Sequence, residues 1–403
     1  MTQPLLQAAD LRGAARLTTD AVAGLTSLVE AMHARIASLP RLTGATSPDE
    51  RTGGLTGLVY ETVRGVTHVV GGGAEALLAW LAPALTSSDP REPPHAEREA
   101  VVAALNGVLG DHLAATDNPL AIPMRFRRAG HGLSLERFGL RSRVPDATPR
   151  LLVLVHGLCM NDLQWQRAGH DHGDALAREL GYTPVYLHYN SGLSISTNGR
   201  IMAQLMERLY DAWPVPIERL VMLGHSMGGL VARSAIHHGA LIQRGGLRWP
   251  ARVDDLVTLG TPHQGAALER AGHGVDLLLS AAPYAAPLAR LSQLRSAGIN
   301  DLRLGNILSS PGGDQGAQRN PQVELPAKTR GFAVAGSLGS PGDAKGKLLG
   351  DGLVSVASAL GQHAQPDRRL AIAPERQAVV HDTGHLDLLS SAEVFGLLRQ
   401  WLI

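Results

Sequence analysis

From Leu151 onward the chain alternates short apolar runs with stretches of helical length, and that alternation leaves few folds open. "LLVLVHG" (Leu151–Gly157), "PVYLHYN" (Pro184–Asn190), "RLVMLGH" (Arg219–His225), "DLVTLGTP" (Asp255–Pro262) and "GFAVAGS" (Gly331–Ser337) are the apolar runs. Between the first four lie helix-length patterns, Ile195–Ala212 among them. Strands that alternate with helices specify a mostly parallel sheet covered by helices on both faces. Just ahead, "RFRRAGHGLSLERFGLRSRVPDATPR" has room for one or two antiparallel strands.

The part before this has a different texture. Leu25, Leu28, Val29, Met32 and Ile36 fall on one helical stripe, and Val59, Val63, Val66 and Val70 on a second. A third segment covers Glu75–Leu85, and a fourth runs from Ala96 to Leu113 with Val101, Leu105, Leu109 and Leu113 on one side. The breaks, "LPRLTGATSPDERTGG" and "TSSDPREPPH", are rich in Pro, Gly and Ser. These patterns predict a helical N-terminal region over 1–115, a small cap or bundle, followed by an α/β domain over 116–403. One stretch of that domain does not alternate. From 263 to 329 only broken helical patterns and the loop-like "SSPGGDQGAQRNPQ" occur. So long a connection between core strands suits a lid or cap over the strand ends.

Bulk properties exclude several function classes. Lys+Arg 37 against Asp+Glu 36 leaves a net charge of +1, with no basic excess for nucleic acid. The most apolar stretch, "VVGGGAEALLAWLAPAL" (Val69–Leu85), holds three glycines and Glu75. It falls short of the roughly 20 apolar residues that a membrane span needs. Peripheral lipid contact, through the N-terminal stripes or the lid, stays open. The opening "MTQPLLQAADLRGAARLTTD" has no basic region followed by an apolar one, so the expectation is a cytoplasmic protein without a secretory leader. The single cysteine, Cys159, forbids an intramolecular disulfide and suits a reducing compartment.

The chemistry concentrates at the strand ends. In "RLVMLGHSMGGLVARSAI" an apolar run breaks at Gly224-His225-Ser226-Met227-Gly228 and resumes as a helical pattern. A G-x-S-x-G corner between strand and helix presents its serine on a strained, exposed turn, with the helix dipole and free N–H groups facing developing negative charge. The backbone N–H of Met227 is one oxyanion donor. The second belongs to a loop after an earlier strand, which selects the N–H of Leu158 in "LVHGLCMND". His156 in that loop reads as a turn residue that orients it. The order Ser, acid, His predicts the remaining members further on. In "VVHDTGHLDLLSSAEVFGLLRQWL", His385 stands at a strand-to-helix loop, whereas His381 lies closer to the strand. Asp351 in "LLGDGLVSVASAL" is the acid, with Asp343 in reserve; Asp382, three residues from His385, is badly placed to arrive from another loop.

From about Arg150 to the end, the chain resembles the bacterial lipases of the α/β-hydrolase superfamily. The resemblance lies in "LVHGL", "GHSMGG", "LGTPHQG", "DGLVSVASALG" and "GHLDLL". It implies an α/β-hydrolase fold with a lid insertion, carrying here a helical N-terminal extension that those lipases lack. It also implies Ser226 as nucleophile, Asp351 as acid, His385 as base, and Leu158 and Met227 as the oxyanion hole. Related lipases bind a structural calcium through an aspartate two residues after the histidine. Asp387 matches that position, but Ser391 stands where an amide side chain is expected, and no aspartate precedes Asp351 where a second carboxylate belongs. One carboxylate does not make a calcium site, so Asp387 is expected to cap the last helix or face solvent.

These readings predict a carboxylic-ester hydrolase, lipase- or esterase-like, that works through an acyl-enzyme without metal or organic cofactor. Its partner is an ester or lipid substrate. Two rivals stand beside it: an acyltransferase or polyester-acting enzyme with the same triad, and a non-catalytic lipid- or protein-binding scaffold.

Overall fold

The computed structural model describes residue 13 and residues 96–241, 247–265, 296–308, 323–342 and 349–403. The first three N-terminal stripes lie outside these residues, as does most of the 263–329 segment. The described part is built on an eight-stranded sheet in the order β2-β1-β4-β3-β5-β6-β7-β8. Its strands are β1 (Arg125–Arg128), β2 (His131–Gly132), β3 (Arg150–Val155), β4 (Thr183–His188), β5 (Arg219–His225), β6 (Val253–Leu259), β7 (Arg330–Gly336) and β8 (Gln377–Val380). The six from β4 to β8 are parallel, and β1 joins β4 and β2 antiparallel. All five expected strands are present, and the arginine-rich stretch ahead of them supplies β1 and β2.

The helices are α1 (Ala96–Ala115), α2 (Arg137–Arg143), α3 (His172–Leu180), α4 (Ile195–Ala212), α5 (Met227–Leu241), α6 (Ala297–Leu304), α7 (Val356–Ala359) and α8 (Ala392–Leu402). Each face of the sheet takes alternate residues of one strand, the period-two rule of a pleat. Leu151, Val153 and Val155 of β3 join α1, α4 and α5 in one core, while Leu152 and Leu154 join α3 and α8 in the other. Helix α1 lies in the first core: Ala104, Leu105, Val108, Leu109 and Leu113 are buried there with Leu151 and Tyr189. The boundary expected at residue 116 therefore does not coincide with a break in packing.

Chain order sets where a site can form. From β3 the chain steps outward to β4, then returns to place β5 on the other side of β3. Such a reversal opens a crevice at the carboxyl ends of the two strands, where ligands bind in open α/β sheets. The register keeps those ends level: Val155 lies opposite Gly224, His225 opposite Leu259, Leu259 opposite Val334, and Gly336 opposite Val380.

Among the histidines buried almost completely are His156, His172, His225 and His263. Burial lowers all four: His156 to about 3, His172 to about 4, and His225 and His263 well below the ordinary value. They fold neutral, while in the unfolded chain they take up protons below about pH 6.5. A group with a depressed folded pKa contributes stability above its unfolded value and loses it as pH falls. The expected loss is up to about 1.4 kcal/mol per pH unit for each histidine. Denaturant unfolding at pH 7, 6 and 5, above most carboxylate titration, measures it, and a flat profile over that range would contradict the assignment.

Candidate functional site

Ser226 sits where β5 stops and α5 starts, with φ of 52°. That is left-handed backbone, uncommon for a residue with a side chain and strained unless its surroundings impose it. Two constraints impose it here. The Ser226 N–H donates to the Leu259 carbonyl at 2.8 Å, carrying the β5–β6 pairing one residue past the strand. Helix α5 also crosses so close to β3 that a methyl group at Gly228 would overlap the Val155 carbonyl oxygen. The serine is turned into the crevice and is 2% exposed.

The loop after β3 arrives from the other side. A Cβ at Gly157 would stand 3.0 Å from the Ser226 Cβ, so the loop meets the serine one residue before Leu158. Met227 is the first residue of α5, and its N–H precedes the helical hydrogen-bond ladder. His156 Nδ1 donates to the Gly157 carbonyl at 2.9 Å, and its ring stacks on Tyr189 at 4.3 Å. With its pKa pushed down to about 3 by burial, this neutral ring shapes the turn.

Asp351 and His385 meet. His385 Nδ1 donates to Asp351 Oδ2 at 2.7 Å, and the His385 N–H donates to the Asp351 carbonyl at 3.0 Å. The other carboxylate oxygen accepts from the N–H groups of Leu353 and Val354 at 3.0 and 2.8 Å. Both carboxylate oxygens are thus hydrogen-bonded, and Oδ2 faces the imidazole. Just upstream, the Leu338 N–H donates to the Gly350 carbonyl at 2.7 Å, closing the neck of the excursion between β7 and Asp351. Gly260, after β6, has φ of 57°, and a Cβ there would sit 2.9 Å from Asp351 Oδ2 and 3.1 Å from His385 Cε1. Only glycine lets β6 end against the pair.

The remaining nitrogen, His385 Nε2, is buried without a hydrogen-bond partner among the described residues. The bond to Ser226 Oγ is thus not made here. Such bonds are often long in unliganded sites and tighten with substrate.

The competing residues are engaged elsewhere. His381 Nδ1 donates to the Gly339 carbonyl at 2.9 Å, and Asp382 accepts from Ser340 Oγ at 3.3 Å. Asp343 lies outside the described residues. The Asp387 carboxylate is 64% exposed, lies 3.7 Å from Arg167, and accepts from the Gly384 N–H at 3.3 Å. It belongs to a short 3₁₀ turn, Asp387–Leu389, and Ser391 rather than Asp387 caps α8 by accepting from the Val394 N–H. No three His, Cys, Asp or Glu residues are grouped to hold a metal among the described residues.

One contact has no local signal in the sequence. His225 Nε2 donates to the His385 carbonyl at 3.0 Å, and the two rings lie 4.8 Å apart. The elbow thereby holds the His385 loop directly, across 160 residues of chain. Burial, more than the neighbouring His385, lowers the pKa of His225 well below its ordinary value, so the ring beside His385 is neutral.

Among known proteins, a family model described as a PGAP1-like alpha/beta domain matches residues 147–325. That span runs from β3 to just before β7; it includes Ser226 and ends ahead of Asp351 and His385. No curated protein sequence matches the chain. Solved structures that resemble it include the mature lipase BlEst2 of Bacillus licheniformis, at 20% identity over 63% of this chain and 91% of that one, with a TM-score of 0.41. A thermophilic esterase from Thermogutta terrifontis matches at 13% identity, over 70% and 93%, with a TM-score of 0.39. The NocB thioesterase domain from the nocardicin cluster matches at 16%, over 64% and 96%, with a TM-score of 0.37. Likenesses this distant say nothing of substrate. The parallel sheet with its reversal at β3, the helices on both faces and the serine corner after β5 are those of an α/β-hydrolase fold.

Proposed function

We propose that the chain is a serine carboxylic-ester hydrolase, lipase- or esterase-like, working through an acyl-enzyme on Ser226. The observation that carries this reading is the Asp351–His385 pair, joined at 2.7 Å and set against the end of the strand that follows the serine. A carboxylate on Nδ1 fixes the imidazole tautomer whose Nε2 holds a lone pair, the arrangement a base needs to take a serine proton. His385 would accept the Ser226 proton as Oγ attacks the ester carbon, then return it to the leaving alkoxide. It would next draw a proton from water to hydrolyse the acyl-enzyme. The N–H groups of Leu158 and Met227 would meet the oxyanion of each tetrahedral intermediate, worth a few kcal/mol per donor. Asp351 would hold the imidazole in place and stabilise the imidazolium.

The test is hydrolysis of p-nitrophenyl esters from acetate to palmitate. Ser226→Ala is expected to lose about 10⁴-fold or more in kcat while keeping its circular dichroism spectrum. A wild type inert across the series, or a variant that keeps turnover, would overturn the reading and leave the scaffold rival standing. The chain-length optimum separates esterase from lipase.

Asp351→Asn offers a sharper check on the acid. An asparagine oxygen still accepts from Leu353 and Val354, so the turn persists, but its amide favours the wrong imidazole tautomer. A fall in kcat of about 10³- to 10⁴-fold at unchanged thermal midpoint is expected. A loss below tenfold would point to another acid.

A further inference from the structure

Helix α1 takes no part in the chemistry proposed above, yet it packs under the loop that carries Leu158. A methyl group at Gly107 would overlap Cys159 Sγ and come within 3.0 Å of the Cys159 N and Cα. Moving the sulfur would remove the overlap and leave two tight backbone contacts. Cys159 Sγ lies 3.7 Å from the Ala104 carbonyl, and the Cys159 N–H donates to Ser191 Oγ at 3.1 Å. Neighbouring Asn190 donates through Nδ2 to the Gly110 carbonyl at 2.7 Å. Cys159 itself has φ of 58°, a conformation that persists only where packing enforces it.

The other end of the loop is held by charge. Glu99, in the first turn of α1, meets Arg127 Nη1 at 2.7 Å, and the same nitrogen lies 3.2 Å from Asp162 Oδ1. His188 Nδ1 stands 3.0 Å from that oxygen. All four side chains are at most 10% exposed. Burial raises the Asp162 carboxyl, but His188 and Arg127 outweigh it and hold the group below its ordinary value, so it remains an anion facing the guanidinium. Removing one partner from so buried a group of charges leaves the others uncompensated.

We propose that α1 positions the oxyanion loop, clamping Leu158–Asp162 between Gly107 at one end and the Glu99–Arg127–Asp162 ion group at the other. The inference rests on the reading of Leu158 as an oxyanion donor. Gly107 and Glu99 are then positioning residues that act through Cys159 and Asp162, and part of the N-terminal region works for the site.

Cys159 is the chain's only cysteine, so its reaction with a thiol reagent reports on the loop whether or not the protein turns over an ester. In the full-length protein, Gly107→Ala is expected to lower kcat by about tenfold or more with KM within about threefold. The Cys159 thiol should label about tenfold faster. In Gly107→Ala/Cys159→Gly the clash with sulfur is gone, and kcat should return to within about fivefold of Cys159→Gly alone. Should Gly107→Ala fail to fold, Glu99→Gln, which keeps the shape and removes the charge, is expected to speed labelling and lower kcat in the same direction. A wild-type kcat in a folded Gly107→Ala, or a loss the second substitution does not recover, overturns the positioning role. Unchanged thiol protection overturns the clamp itself. A wild type inert on every ester sinks the hydrolase reading instead, and the labelling rates still decide whether the helix holds the loop.

Discussion

The level ending of β3, β5 and β6 is the constraint from which the site follows. Because Val155 stands opposite Gly224 and His225 opposite Leu259, the next residues on each strand emerge in one row. The parallel ladder has no strand of its own left to satisfy past that row. The Ser226 N–H still reaches Leu259, while the chain must already turn into α5, and the two demands together force the positive φ of the serine. A slip of one residue in β5 would swap its two faces and carry the serine out of line with the ends of β3 and β6.

Much of this was legible beforehand because it depends on local patterns. Short apolar runs, a glycine-flanked serine and the order Ser, Asp, His are each contained in stretches of a few residues, and the structure sets Asp351 against His385. The role of α1 was not legible. Its apolar stripe at Val101, Leu105, Leu109 and Leu113 marks a helix with one buried face but does not name what it faces. The ion group joining Glu99, Arg127, Asp162 and His188 draws on four elements as much as 89 positions apart, and no spacing rule connects them. His225 was hidden differently: it is the variable residue of the elbow motif, and its donation to the His385 carbonyl exists only once β5 is aligned with the loop after β8.

The Asp351–His385 pair has neutral histidines for neighbours. His156 and His225 are held uncharged by burial on the two sides of the serine, and the buried arginine in this part of the fold, Arg127, is answered by two carboxylates. Charge that develops on an oxyanion would meet oriented N–H groups rather than a mobile cation, and preorganised dipoles need no rearrangement during the reaction.

The bond from Leu338 to Gly350 bears on how such a chain can diversify. It pins together the two ends of the excursion that precedes Asp351, so the acid's position is settled at the neck and not by what lies beyond it. Loop-closure entropy grows only slowly with length. Residues could therefore be added to or removed from the excursion over many generations while the carboxylate stays in register with His385. The neck separates a stretch whose length is free to change from the Asp351–His385 pair, whose spacing is not.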